Sequence, residues 1–425
     1  MTHTHRARGV PTSRTAVTVL LGFLAVSFLA TLTGLIALWP DREAVDRLKE
    51  DAQFTAPNVT FVDATVTRVE PACVMGNVDD SIFDANQDTP TDCGHIEARL
   101  ESGPEKGELL TVDVAPHILN TGVDVSAGVQ LMRIPPHDDQ GPIYSFDRMK
   151  RTAPLLTLAI LTVIVIAAVA RLRGILGLLS LVLCGLVLFK FMLPALLSGY
   201  SGIAVALIGS AAIMFVVLYL THGPSVRTSA ALAGTLLGIA ITAVIGQIFV
   251  TRSSLTGVAD DASAQLTAFA GDVSFQGLLM CSLIVAGLGV LNDVTITQAS
   301  AVWELRAAGP TLSRRELFTS GMRIGRDHIA STIYTLMFAY AGAALAVLLL
   351  VSLYQRPFID LVSTESIAQE IVRTLAAVIG LVLAVPLTTG IAALTVGAPV
   401  PGQSGQPASL ERYRVPDDSG ESSGL

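Results

Sequence analysis

Hydrophobic and polar positions divide the chain into three regimes. Thr15 to Trp39 is one apolar run that ends in Leu38-Trp39-Pro40, an interfacial aromatic followed by a helix stop. A cleaved signal peptide has an apolar region of only about 7–15 residues, so this longer run predicts an uncleaved anchor. After a short charged helix near Asp41–Ala52, the pattern switches to period two in Val59–Glu70 and again in Glu108–Val114. His95–Leu100, Gly128–Ile134 and Ile143–Arg148 complete a set of short strands bounded by Gly, Pro and Asp turns. That stretch reads as a small all-β domain, with an OB-like closed barrel as the expected topology.

From Pro154 onward, apolar runs of spanning length follow near 154–170, 174–193, 203–220, 229–250, 275–298, 329–351 and 371–395. With the anchor they make about eight transmembrane helices. The fold class expected is a polytopic α-helical membrane protein with an extracytoplasmic β domain between helices one and two. Residues 1–14 form a disordered cytoplasmic tail, 15–39 the first helix, 40–152 the β domain, 153–396 a seven-helix bundle and 397–425 a second disordered cytoplasmic tail. No internal repeat divides the spans into matching halves, which weighs against a transporter of inverted repeats.

Composition agrees: 51% of residues are hydrophobic and 15% charged. The net charge of −8 reflects acids gathered between Asp41 and Asp147, which disfavours nucleic acid as a partner and leaves the lipid bilayer as the certain one. Loops assigned to the inside carry Arg171, Arg173, Arg227, Arg306, Arg314, Arg315, Arg323 and Arg326. Those assigned to the outside carry Arg252, Arg356 and Arg373 among six acids, including Asp260, Asp272 and Glu365. This bias puts both termini in the cytoplasm.

Cys184 and Cys281 lie in apolar runs and read as small buried hydrophobes. Cys73 and Cys93 flank an acidic, turn-rich segment; outside the cell they are candidates for a disulfide, with thiols blocked to alkylation until reductant is added. That segment lacks the spacing and closing Glu of an EF-hand, and His3 and His5 stand on a tail, so no metal site is expected. No P-loop, GxSxG, HExxH or CxxC pattern occurs. No cofactor and no enzymatic activity are expected.

The candidate chemistry lies in Gly277–Arg306, where an apolar half is followed by Asn292, Asp293, Thr295, Thr297, Gln298, Ser300 and Glu304. At 3.6 residues per turn, Asp293, Thr297, Ser300 and Glu304 share one helix face, and Asn292 sits beside it. Asp293 falls in the inner third of the hydrocarbon. An acid there costs about 2.5 kcal/mol or more if it faces lipid, so the stripe is expected to face protein or a water cavity. Glu304 also fits an ordinary cytoplasmic residue. The facing segment, Ser320–His328, brings Arg326 within reach of Glu304 or Asp293. Asp327 begins a second polar face with Ser331, Tyr334 and Thr335. His328 reads as a hydrogen-bonding residue, and Gly321 and Gly325 permit close helix contact.

The segments GLGVLNDVTITQASAVWEL, ELFTSGMRIGRDHIASTIYTLMFAYAGAALAVLLLV and ESIAQEIVRTLAAVIGLVLAVPLTTGIAAL resemble the YibE/F-like family of bacterial membrane proteins. Asp293, Glu304, Ser320, Gly321, Ile324, Gly325, Arg326, Asp327, Thr335, Leu336, Ala339 and Tyr340 carry the resemblance, with Asn292 standing where a small or apolar residue is expected. The similarity runs from the β domain to the last span. It implies a multi-pass bacterial plasma-membrane protein, permease-like, and names no substrate.

Two function classes follow. In one, Asp293, Arg326 and Asp327 form a proton- or ion-linked site for a small solute. In the other, the chain is a scaffold or sensor whose β domain binds an envelope protein, and Asp293 ties helices together.

Overall fold

The computed structural model describes residues 10–41, 43, 45–46, 59–70, 94–135, 141–270, 273–353 and 357–398. The chain divides into two compact units, Lys49–Arg171 and the remainder.

The first unit contains all the expected strands: β1 (Thr60–Val69), β2 (His95–Leu100), β3 (Leu109–Asp113), β4 (Gly128–Ile134) and β5 (Ile143–Met149). A short helix, α2 (Pro116–Leu119), separates β3 from β4. The strands pair antiparallel in the order β3-β2-β1-β4-β5. Alternation sends Val62, Ala64 and Val66 of β1 to one face, where they are buried with Ile96, Ala98, Leu100, Val129 and Leu131. Register shifts at Val66/Arg68 and Gln130/Leu131 bend the sheet. The edge strands β3 and β5 approach each other but exchange no ladder bonds, so the sheet is a half-barrel rather than the closed barrel expected. Cys73, Cys93 and the loop between them lie outside the described residues, as does most of the expected helix near Asp41–Ala52.

The remaining helices are α1 (Arg14–Ala37), α3 (Thr152–Val187), α4 (Leu193–Leu197), α5 (Gly202–His222), α6 (Val226–Arg252), α7 (Asp261–Phe269) and α8 (Phe275–Ala308). They continue with α9 (Arg314–Ala343), α10 (Leu345–Leu353), α11 (Phe358–Val362) and α12 (Glu365–Thr395). Among the described residues, six helices are long and apolar enough to cross a membrane, or seven if the α9–α10 pair, bent by 68°, is one span. The expected spans 154–170 and 174–193 form one helical stretch, Thr152–Leu197, broken by non-helical dihedrals at Arg171 and a π-turn at Leu188–Met192. The polar segment before 329 is also helical. It belongs to α9, whose start is set by a capping box between Ser313 and Glu316.

In the second unit, α6, α8 and α12 form a central triad, with α1, α5 and α9 against it. Glycines set the spacing. A Cβ on Gly234 of α6 would lie 1.9 Å from Thr388 Oγ1 of α12, and one on Gly380 of α12 would lie 1.9 Å from Thr242 Oγ1 of α6. Each antiparallel helix thus offers a glycine to the other's threonine, and Gly238 meets Ala384 between them. At the start of α5, a Cβ on Gly202 would lie 1.9 Å from the Gly277 carbonyl oxygen, a backbone-to-backbone approach.

The chain's described ends meet. Ser13 N–H donates to the Thr395 carbonyl at 2.9 Å and Gly397 N–H to that of Pro11 at 2.5 Å. At the opposite end, Glu365 Oε1 accepts from Thr256 N–H, Thr256 Oγ1 and Gly257 N–H at 2.8, 3.0 and 3.2 Å. Both described ends of the chain therefore lie at one end of the bundle.

Candidate functional site

α8 is apolar or small nearly all round in its first half, and its capping serine, Ser274, accepts from Gly277 N–H at 3.1 Å. Its inward face carries Leu291, Val294, Thr295, Gln298, Ala299, Val302 and Arg306, all buried. The polar stripe read from the sequence lies elsewhere. Asp293, Thr297 and Glu304 are exposed and Ser300 half-buried, so the stripe faces away from the triad. This corrects the expected burial of Asp293, whose side chain is 71% exposed. Helical period fixed which residues share a face; the small residues and close glycine contacts decided which face turns inward.

The buried polar residues make two ties. Gln298 Nε2 donates to the Gly321 carbonyl of α9 at 2.7 Å and to Thr389 Oγ1 of α12 at 2.8 Å, and Thr389 donates onward to the Val385 carbonyl at 2.6 Å. Gly321 and Gly325 admit this amide: a Cβ on Gly325 would lie 3.0 Å from Gln298 Oε1 and 2.7 Å from Val385 Cγ1. The second tie joins α6 to α8 through the hydroxyls of Thr235 and Thr295, 2.6 Å apart. Thr235, a lone hydroxyl in an apolar run, gave no sequence signal. Arg306 is buried as well, its Nη1 donating to the carbonyls of Pro310 and Leu312 and closing the turn into α9.

Among the described residues, Asp293 meets one ionisable neighbour. Its Oδ2 lies 3.8 Å from His328 Nε2 of α9. That nitrogen and Asn292 Oδ1 are buried without a hydrogen-bond partner among the described residues. The Thr235–Thr295 contact gives the depth. Thr235 lies about 14 Å along α6 from Val226, and Asp293 about 3 Å beyond Thr295 along antiparallel α8. The pair therefore lies about 16 Å from the Val226 end of the bundle and about 24 Å from the Gly277 end, at a depth that falls within a ~30 Å core.

Arg326 and Asp327 are exposed on α9, and among the described residues Arg326 pairs with neither Asp293 nor Glu304. Glu304 instead lines a pocket of ≈310 Å³ with Val10, Thr12, Arg227 and Trp303, at the end of the bundle where the chain ends meet. The stripe thus separates into a group within the core at Asp293 and an end group at Glu304.

In the β unit, Arg133, Glu105 and Tyr144 form a half-buried ionic cluster. Arg133 Nε donates to Glu105 Oε2 at 2.9 Å, and Tyr144 OH donates to the same oxygen at 2.7 Å. Hydrogen bonds from Arg133 first, then Tyr144, hold the Glu105 carboxyl down at about 2 from its ordinary 4.5. Desolvation first, then the hydrogen bond to Glu105, raises the Tyr144 phenol.

Apolar helices of spanning length around a polar centre define a polytopic helical membrane protein. Residues 158–398, more than half of the chain, match the family described as YibE/F-like protein. The chain belongs to that family. The match begins within α3, so it leaves out the β unit that the resemblance had been expected to include. No curated protein and no solved structure matches.

Proposed function

We propose that this chain is a permease-like membrane protein in which Asp293 and His328 carry a proton- or ion-linked step of solute movement. One observation carries the reading: a carboxylate and an imidazole 3.8 Å apart within the depth of the core, on two different helices. Ionisable groups at such depth mark ion and proton pathways more often than they mark structure. The thiol pair Cys73–Cys93 and the OB-like reading of the half-barrel belong to the same proposal, as does a bacterial plasma membrane. Positive charge at Arg227, Arg314 and Arg315, near the end where Pro11 meets Gly397, supports a cytoplasmic side for both termini. If the α9–α10 pair is one crossing and the Arg171 break separates two more, the count becomes eight, which agrees with that assignment.

The edges of β3 and β5, unpaired among the described residues, favour a second reading, a non-transporting scaffold or sensor, because a sheet edge can accept an added strand from an envelope partner. Proteoliposomes decide between them. Under an imposed proton gradient, wild type is expected to move protons, while Asp293→Asn and His328→Gln, equally stable to heating, are not. Absence of flux in wild type, with Asp293→Asn markedly less stable, assigns Asp293 to structure and leaves the scaffold.

A further inference from the structure

We infer that the outer face of α8 and α9 is a docking surface for a second copy of this chain, with Asp293 of one copy set against Arg326 of the other. The face is polar where a lipid-facing surface should be apolar. Asp293, Thr297, Arg323, Arg326 and Asp327 are exposed on it, within the span. Ionisable side chains at that depth face protein or a water-filled cavity and not lipid.

The face carries both charge signs at one level. The Asp293–His328 contact and the Gln298–Gly321 bond show that α8 and α9 run antiparallel, so Arg326 stands within about 3 Å of the Asp293 level. A two-fold axis along the membrane normal brings residues of equal depth together and makes the patch its own complement. The acid of α8 then meets Arg326 of the other copy's α9, twice over. The helical segment 152–170 contains no ionisable side chain, and its Thr157 and Thr162 hydroxyls donate to the Ala153 and Leu158 carbonyls. It has nothing to offer Asp293. Thr297 and Ser300 are small enough for close approach of a facing helix.

The inference stands independently of transport. Full-length protein in nanodiscs is expected to scatter light with the mass of two chains. Differently tagged Thr297→Cys and Ile324→Cys chains, co-reconstituted, are expected to cross-link on oxidation well above wild-type chains, since both positions are exposed at matching depth. A Val244→Cys chain, exposed on α6, is the control and is expected not to cross-link with either. Asp293→Arg is expected to lower the dimer fraction at least tenfold, and Arg326→Asp in the same chain to restore it. A single-chain mass with no cross-link overturns the inference, whether lipid or a different protein then covers the face. Cross-linking equal to that of the Val244→Cys control overturns it too.

Discussion

Glu105 and Gln298 show how differently a polar group acts in the two units. Glu105, with its carboxyl held near 2 by Arg133 and Tyr144, has a folded value below its ordinary 4.5. A depressed acid stabilises the fold fully above the unfolded value and loses that contribution as pH falls through the folded one. Glu105→Gln is therefore expected to speed hydrogen exchange in β4 and β5 peptides at pH 7. The difference from wild type should shrink between pH 4.5 and about 2; an equal difference at both ends would show that the cluster contributes no charge-dependent stability. Gln298 works without charge. Gln298→Ala removes the amide donor shared by the Gly321 carbonyl and the Thr389 hydroxyl, and is expected to destabilise the helical unit by about 1 kcal/mol, seen as a lower thermal midpoint in detergent. Gln298 was present among the residues singled out from the sequence, but as a neighbour of Asp293 rather than as the inward group. In a membrane helix both lipid and protein faces are apolar, so polarity alone does not tell inside from outside.

At the level of elements, the glycine contacts carry the strongest expectation. A methyl on Gly202 would meet the Gly277 backbone oxygen, which no side-chain rotation can move aside. Gly202→Ala is expected to push α5 off α8 and cost about 1–3 kcal/mol or more. Gly289→Ala, with nothing within 4 Å of its Cβ, should change the thermal midpoint little. Equal midpoints for the two variants would remove the close approach as a determinant of the bundle. Elements with a distinct period were readable from residues alone: the alternation of Val62, Ala64 and Val66 placed β1 and its inward face. What the period omits is curvature and contact. Whether β3 and β5 close the barrel depends on bulges at Val66/Arg68 and Gln130/Leu131, and neither leaves a mark in alternation. The 68° bend after Ala343 falls beside Gly342, a single glycine in an apolar run, which marks a weak point but not an angle.

At the scale of the molecule, the two ends of the bundle differ in charge and in chain content. Pro11, Ser13, Thr395 and Gly397 meet at one end, and Glu365 clasps Thr256 and Gly257 at the other. Single cysteines placed at Thr12 and at Val258 are expected to be labelled from opposite sides of a sealed vesicle by a membrane-impermeant maleimide. Labelling of both from one side would break the assignment of the ends.

The clasp between Pro11 and Gly397 also orders events during synthesis. α12 leaves the ribosome after α1, α6 and α8, yet it completes the triad with α6 and α8 and closes on the start of α1. Until it arrives, Gly234, Gly238 and Thr242 of α6 face an empty groove in the middle of the half-built bundle. The earlier helices must wait in the bilayer, held apart from wrong partners, for a segment that is synthesised after them. A nascent chain stopped before Glu365 is thus a natural substrate for membrane quality control.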